Sequence, residues 1–152
     1  MYIDKELLFD DAAAHTSTGN GTDIIDLRAY NMDSGGDGEA APHGTADQTI
    51  GQGKMYLVVI VDAAADAATS VVIDLRSCDN SNMTTTPQIH ATQTFSAPAT
   101  DLAIGTKHII GTFDGPINER YLGVRYTVTG ASTVGTYTAF LTHNVDQGHP
   151  LS

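Results

Sequence analysis

Between Arg120 and Gly130 apolar and polar residues alternate. Leu122, Val124, Tyr126 and Val128 fall on one side of the run; Tyr121, Gly123, Arg125, Thr127 and Thr129 fall on the other. Side chains of a strand point to opposite faces in turn, so a period of two predicts a half-buried β-strand and not a helix. The first set is expected to line a core. Tyr121, Arg125 and Thr127 are expected to face solvent or a partner. After a short turn, Thr136 to Leu141 repeats the pattern as a second strand.

The same reading extends upstream. Met55 to Val61 is apolar throughout, which predicts a strand covered on both faces. Ser70 to Arg76 is the next strand, ended by the polar run Asp79 to Asn82, and weaker strands are expected at 88–95 and 106–112. Asp23 to Arg28 is also read as a strand, and Gly19-Asn20-Gly21 before it as a turn. Ile-Asp-Leu-Arg occurs at 25–28 and again at 73–76, but its flanks differ, so it marks two similar strands and no repeat architecture. Tyr2 to Ala14 is either extended or, through Asp10-Asp11 and three alanines, a brief helix. Asn31 to Gly53 is rich in Gly, Asp, Ala and Pro and buries too little apolar surface to form a core element; it is read as a long loop.

Seven or eight short strands with no long helical pattern predict an all-β protein, an antiparallel jelly-roll β-sandwich. The 152 residues make one domain, with 1–14 as a possible N-terminal arm and 31–53 as the long loop. A compact chain of this length buries roughly 68–70% of its extended surface, enough for a core.

Charge narrows the partners. Seven Lys and Arg against 18 Asp and Glu leave a formal charge of −11, and the basic residues stand singly. Gripping nucleic acid requires clustered cations that displace counterions from phosphates, so neither nucleic acid nor an anionic membrane is expected as a partner. No apolar run approaches the ~20 residues of a membrane helix. Acids at positions 4, 6, 10 and 11 interrupt the start, so no secretory leader is expected. The single cysteine, Cys78, excludes an internal disulfide and a multi-cysteine metal site, and with Asp79 beside it reads as a buried or inert thiol.

Reactive motifs are missing where chemistry would need them. Gly53-Lys54 lacks the earlier glycine and the following Ser or Thr of a phosphate loop, since Gln48 and Met55 stand there. Asp33 to Glu39 has Gly35 where a calcium loop needs an oxygen ligand, and it lacks flanking helices. There is no Gly-x-Ser-x-Gly elbow. The six histidines, at 15, 43, 90, 108, 143 and 149, have no ligand spacing and read as surface or loop residues. The expectation is a protein that is not an enzyme and holds no cofactor or metal. A cupin-like metal centre would need His and carboxylates to converge in three dimensions.

Four stretches together carry a resemblance: the opening Met-Tyr-Ile-Asp-Lys-Glu-Leu-Leu-Phe, the strand Tyr56 to Val61, the run Arg120 to Tyr126, and Gly135 to Leu141. The chain resembles the capsid cement (decoration) proteins of tailed phages related to the Bordetella phage cement protein. The resemblance implies a jelly roll on the outer surface of an icosahedral virion, made in the host cytoplasm. It also implies two partners, the major capsid protein and further copies of the chain itself in a small homo-oligomer, with neighbouring capsomers bridged against internal pressure. Acidity suits an exterior role, and weak contacts repeated over a symmetric shell add up through avidity. Candidate contacts are Tyr2, Ile3, Leu7, Leu8 and Phe9, a concentrated apolar patch near the chain start that either reaches a neighbouring subunit or the shell or closes one end of its own sandwich, with Tyr121 and Arg125 on the polar side of the alternating strand. The competing reading is a carbohydrate- or receptor-binding module of a virion, which the absence of Trp weakens.

Overall fold

The alternating run at 120–130 becomes strand β8 (Tyr121–Thr129), with Leu122, Val124 and Tyr126 fully buried and Val128 packed at the core's margin. The computed structural model describes residues 7–27, 54–113, 117 and 119–143. β8 is central to one of two antiparallel sheets. On one side it pairs with β5 (Ser70–Cys78), which pairs in turn with β6 (Gln88–Phe95). On the other side it carries two short pieces, β2 (Gly19–Asn20) and β3 (Ile25–Asp26). The second sheet has the order β1 (Leu8–Ala14), β9 (Thr136–Thr142), β4 (Met55–Ala63), β7 (Lys107–Phe113). Orders 1-9-4-7 and 2/3-8-5-6 interleave the two halves of the chain between the sheets, which is the jelly-roll arrangement of a β-sandwich. One four-residue helical turn, α1 (Pro98–Asp101), joins β6 to β7.

Between the sheets lies one continuous core. Phe9, Met55, Leu57, Val59, Val61, Tyr137, Ala139 and Leu141 enter from the four-stranded sheet; Val71, Ile73, Leu75, Phe95, Leu122, Val124 and Tyr126 enter from the other. β4, β5, β8 and β9 each contribute every second residue, as the pleat requires. Burial at roughly 25 cal/mol per Å² of apolar surface is the main term holding the layers together.

Several expectations change. Of the two alternatives for the chain start, residues 8–14 take the extended one and not the helix: they are the edge strand β1, paired to β9 with two register shifts, and Ala12 takes a positive φ of 48° within the irregularity. Gly19–Asn20 is strand β2 and not a turn. The strand expected over 23–28 is only Ile25–Asp26 among the described residues, and the 31–53 loop lies outside them. Both Ile-Asp-Leu-Arg copies contribute to strands that flank β8 on opposite sides, with Ile25 opposite Leu122 and Ile73 opposite Tyr126.

Met55 to Val61 is buried on both sides in a limited sense. Its inner residues join the core. On the outer side Val58 is fully buried, while Tyr56 and Ile60 keep partial exposure.

Candidate interaction surfaces and buried polar clusters

The apolar start of the chain does not form one patch. A strand sends neighbours to opposite faces, so Leu7 and Phe9 turn to the core, where Phe9 has no exposed surface, while Leu8 turns outward. Phe9 is therefore a core residue and Leu7 packs against that same core, so these two follow the alternative in which the segment closes its own sandwich. Tyr2 and Ile3 lie outside the described residues.

Leu8 belongs to an arrangement that no local run of sequence displays. It pairs with Phe140, Phe140 pairs with Val58, and Val58 pairs with Ile109. Directly opposite residues share a face of a sheet, so these four form an apolar row across β1, β9, β4 and β7 on the side away from the core. Tyr56 and Ile60 flank it. Val58 and Phe140 are covered; Leu8, Tyr56 and Ile60 are partly exposed and Ile109 is 42% exposed. An outer sheet face normally reads polar, and here it carries apolar residues, two buried at the centre and four partly exposed around them.

Tyr121 and Arg125 lie on the outer face of the other sheet, so the structure does not join them to Leu8. Both are half-buried and engaged within the chain. The guanidinium of Arg125 donates to Asn20 Oδ1 at 2.8 Å. Tyr121 lies under Arg120, whose Cζ is 4.8 Å from the ring centroid and whose Nε and Nη2 clamp the Asp26 carboxylate at 3.0 and 2.7 Å. That fork raises the Arg120 pKa. The loop after β5 folds back over this face. Met83 is fully buried, its Cε close to Gly123, and Cys78 is buried with Sγ 2.8 Å from the Thr85 carbonyl it donates to.

Three buried polar clusters are the residues that sequence reasoning missed. In the first, Asp10 of β1 accepts the Tyr126 hydroxyl at 2.8 Å and the Thr22 amide at 2.8 Å. His15 Nε2 stands 3.1 Å from Asp10 Oδ1, close enough for charge pairing although not aligned as a hydrogen bond. The His15 ring stacks on Tyr126 with centroids 3.9 Å apart, and Tyr137 stacks on Tyr126 at 5.3 Å. Burial pushes the Asp10 carboxyl up, but His15, the Thr22 amide and Tyr126 outweigh it and its pKa is lowered. Burial and the Asp10 charge raise Tyr126 well above the usual phenol value, and burial pushes Tyr137 up to about 12. The reading of His15 as a surface residue is corrected: it is buried in this cluster.

In the second cluster Asp74 and Arg76 of β5 pair at 2.5 Å; Thr92 donates to Asp74, and Arg76 donates to the Met83 carbonyl at 3.3 Å. In the third, Ser77 Oγ lies 2.7 Å from His90 Nε2 and donates to Glu119 Oε2 at 2.6 Å. A hydrolytic triad needs its acid behind the histidine; here the acid takes the serine's own hydrogen bond, and Ser77 has no exposed surface. The arrangement clasps β5, β6 and the approach to β8. Burial lowers the His90 pKa against the opposing charge of Glu119. His108 is likewise half-buried, edge-on to Phe95 at 4.9 Å. Among the described residues no group of three or more His, Cys, Asp or Glu is placed to hold a metal ion.

A family model described as Bbp16 matches residues 9–141. No curated protein matches the chain. The matched span runs from Phe9 in β1 to Leu141 in β9 and so takes in the whole sandwich; the chain belongs to the Bbp16 family and is a phage-related protein.

Proposed function

We propose that the chain is a capsid cement protein, a structural component that sits on the outside of a phage icosahedral shell and bridges neighbouring major capsid subunits. The observation that carries the reading is the apolar row Leu8–Phe140–Val58–Ile109 on the outer face of a sheet, in a member of a phage-related family. Around Val58 and Phe140, which the chain itself buries, Leu8, Tyr56, Ile60 and Ile109 keep apolar surface for a partner to cover, and repeated copies on a symmetric shell turn modest contacts into avidity. The partners in this reading are the major capsid protein and other copies of the chain. A formal charge of −11 keeps the protein off the packaged genome and off anionic membranes. The protein is made in the host cytoplasm and ends on the virion's outer surface, where its role is mechanical.

The test is sedimentation of purified protein with empty shells of the major capsid protein encoded with it. Saturable co-sedimentation, with a rise in the shell's thermal disruption temperature, supports the reading. Protein that stays in the supernatant at all concentrations contradicts it.

A further inference from the structure

Each sheet of the sandwich ends in two edges, β1 and β7 in one, β6 and the β2–β3 pieces in the other. An edge presents unpaired backbone N–H and C=O groups, and folds keep other chains off it with short strands, bulges or charges. Three of the four edges are blunted in this way. β1 shifts register twice, keeps at most two consecutive pairs with β9 and carries Asp10 and Asp11. β2 and β3 are two residues each. β7 starts at Lys107, and a shift between Leu57 and Val58 of β4 breaks its ladder into two runs of three. β6 is the exception. From Ala91 to Phe95 it pairs with β5 through five consecutive residues, and no other backbone bond engages that run among the described residues. Its sequence, Gln-Ile-His-Ala-Thr-Gln-Thr-Phe, contains no Asp, Glu, Lys, Arg or Pro.

The open run is held extended before anything pairs with it. Ala91 and Phe95 are buried in the core, and Phe95 meets the His108 ring of β7 edge-on at 4.9 Å. β6 and β7 lie so close that a Cβ on Gly111 would meet the Ala91 Cβ at 3.0 Å. A strand already ordered loses little further freedom when another strand is added to it. Thr92 and Thr94 are exposed, and Ile89 of β6 and Ile109 of β7 are exposed apolar residues on this same side of the sandwich. The eight residues of β6 and the seven of β7 include no Asp or Glu, whereas β1 on the other side carries two and β3 one.

We infer that β6 is a self-pairing edge: two copies of the chain join antiparallel about a twofold axis at Gln93, the centre of the open run, and merge their β8-β5-β6 sheets into one. This deepens the cement reading, in which copies of the chain meet one another, and rests on that part of it. The occupant is a second copy because a twofold axis sets a strand against itself. Each copy brings a formal charge of −11, and like charges directly opposite one another repel, so self-pairing is cheapest on a strand that holds no charge. The same axis placed on β1 would bring aspartates together. At Gln93 it sets Thr92 opposite Thr94 of the second copy on the outer face and Ala91 opposite Phe95 on the core side, a threonine pair and a small residue against a large one.

The test uses the whole purified chain without shells. Sedimentation velocity over rising concentration is expected to show a reversible dimer, and amide exchange at alternate residues of 91–95 is expected to slow roughly tenfold as the dimer fills, with β1 unchanged. Thr94→Asp and Thr94→Lys each set like charges beside the axis and should weaken dimerisation roughly tenfold, while an equimolar mixture of the two recovers it. Ala14→Asp, on β1, should dimerise as wild type. A chain that stays monomeric overturns the inference, as does a dimer without added protection at 91–95, or Thr94 variants that dimerise like wild type. Protection that appears only when shells are added also overturns it and gives the edge to a strand of the capsid subunit. The cement reading is separable: a monomer that still co-sediments with shells overturns the self-pairing alone, and a β6-paired dimer that binds no shell overturns the cement reading alone.

Discussion

Tyr126 on one sheet donates its hydroxyl to Asp10 on the other, 2.8 Å across the sandwich and 116 positions away in the chain. The contact joins the edge strand β1 to the central strand β8 through buried groups. Hydrogen bonds to a charged acceptor contribute about 1.5–3 kcal/mol, and removing the donor leaves the carboxylate under-satisfied. Tyr126→Phe is therefore expected to lower unfolding free energy by about 1.5–3 kcal/mol in urea denaturation. Tyr137 lies in the same stack but its hydroxyl is buried with no hydrogen-bond partner among the described residues. Tyr137→Phe is expected to be neutral or slightly stabilising in the same measurement.

The lowered Asp10 pKa makes part of the stability depend on pH. A carboxyl depressed in the folded state contributes fully above its unfolded value, about 3.9, and the contribution is lost as pH falls through the lower folded value. The groups facing Asp10 are His15, Tyr126, the Thr22 amide and, beyond Tyr126, Tyr137. Asp10→Asn keeps the shape and removes the titration. The difference in stability between wild type and Asp10→Asn should be largest from pH 5 to 7 and shrink below about pH 4. A difference constant from pH 7 to 2 contradicts this account.

Arg76 and Asp74 form a buried pair on β5, and breaking such a pair by removing one partner typically costs about 3–5 kcal/mol. Arg76→Met is expected to show a loss in that range and to loosen the loop held through the Met83 carbonyl, seen as faster amide exchange at 80–86. The double change Asp74→Leu with Arg76→Met should recover most of the stability, because an apolar pair carries no desolvation cost; Thr92, exposed, finds water in place of Asp74.

On the outer face of the four-stranded sheet, Ile109→Asp puts a charge into the apolar row. The residue is 42% exposed, so the fold should survive with a change within about 1 kcal/mol. Self-association or shell binding, read by analytical ultracentrifugation with and without shells, should weaken at least tenfold. Unchanged values in both would remove this face from the account.

Much of the architecture was legible because it rests on period-two patterning. β8, β9, β4, β5, β6 and β7 all announce themselves through alternation or apolar runs, and the core side of β8 follows directly from Leu122, Val124 and Tyr126. β1 did not, since Asp10, Asp11 and three alanines have weak strand preference and are held extended by pairing with β9 more than 120 positions away. Once that segment is a strand, Leu7, Leu8 and Phe9 must divide between faces, which ends the single apolar patch. The Asp10–His15–Tyr126 cluster and the row from Leu8 to Ile109 are products of tertiary register, and no local spacing encodes them. One weak signal was present: an aspartate directly following Leu7-Leu8-Phe9 in a core-facing segment requires buried partners.

The central claim is that the chain binds the outside of a phage shell and bridges its subunits. The most direct measurement is a cryo-EM map of shells assembled from the co-encoded major capsid protein with and without this chain. The account predicts added jelly-roll density on the outer surface, spanning the junction between neighbouring capsid subunits. Identical maps with and without saturating protein, or density confined to the shell interior, would contradict it.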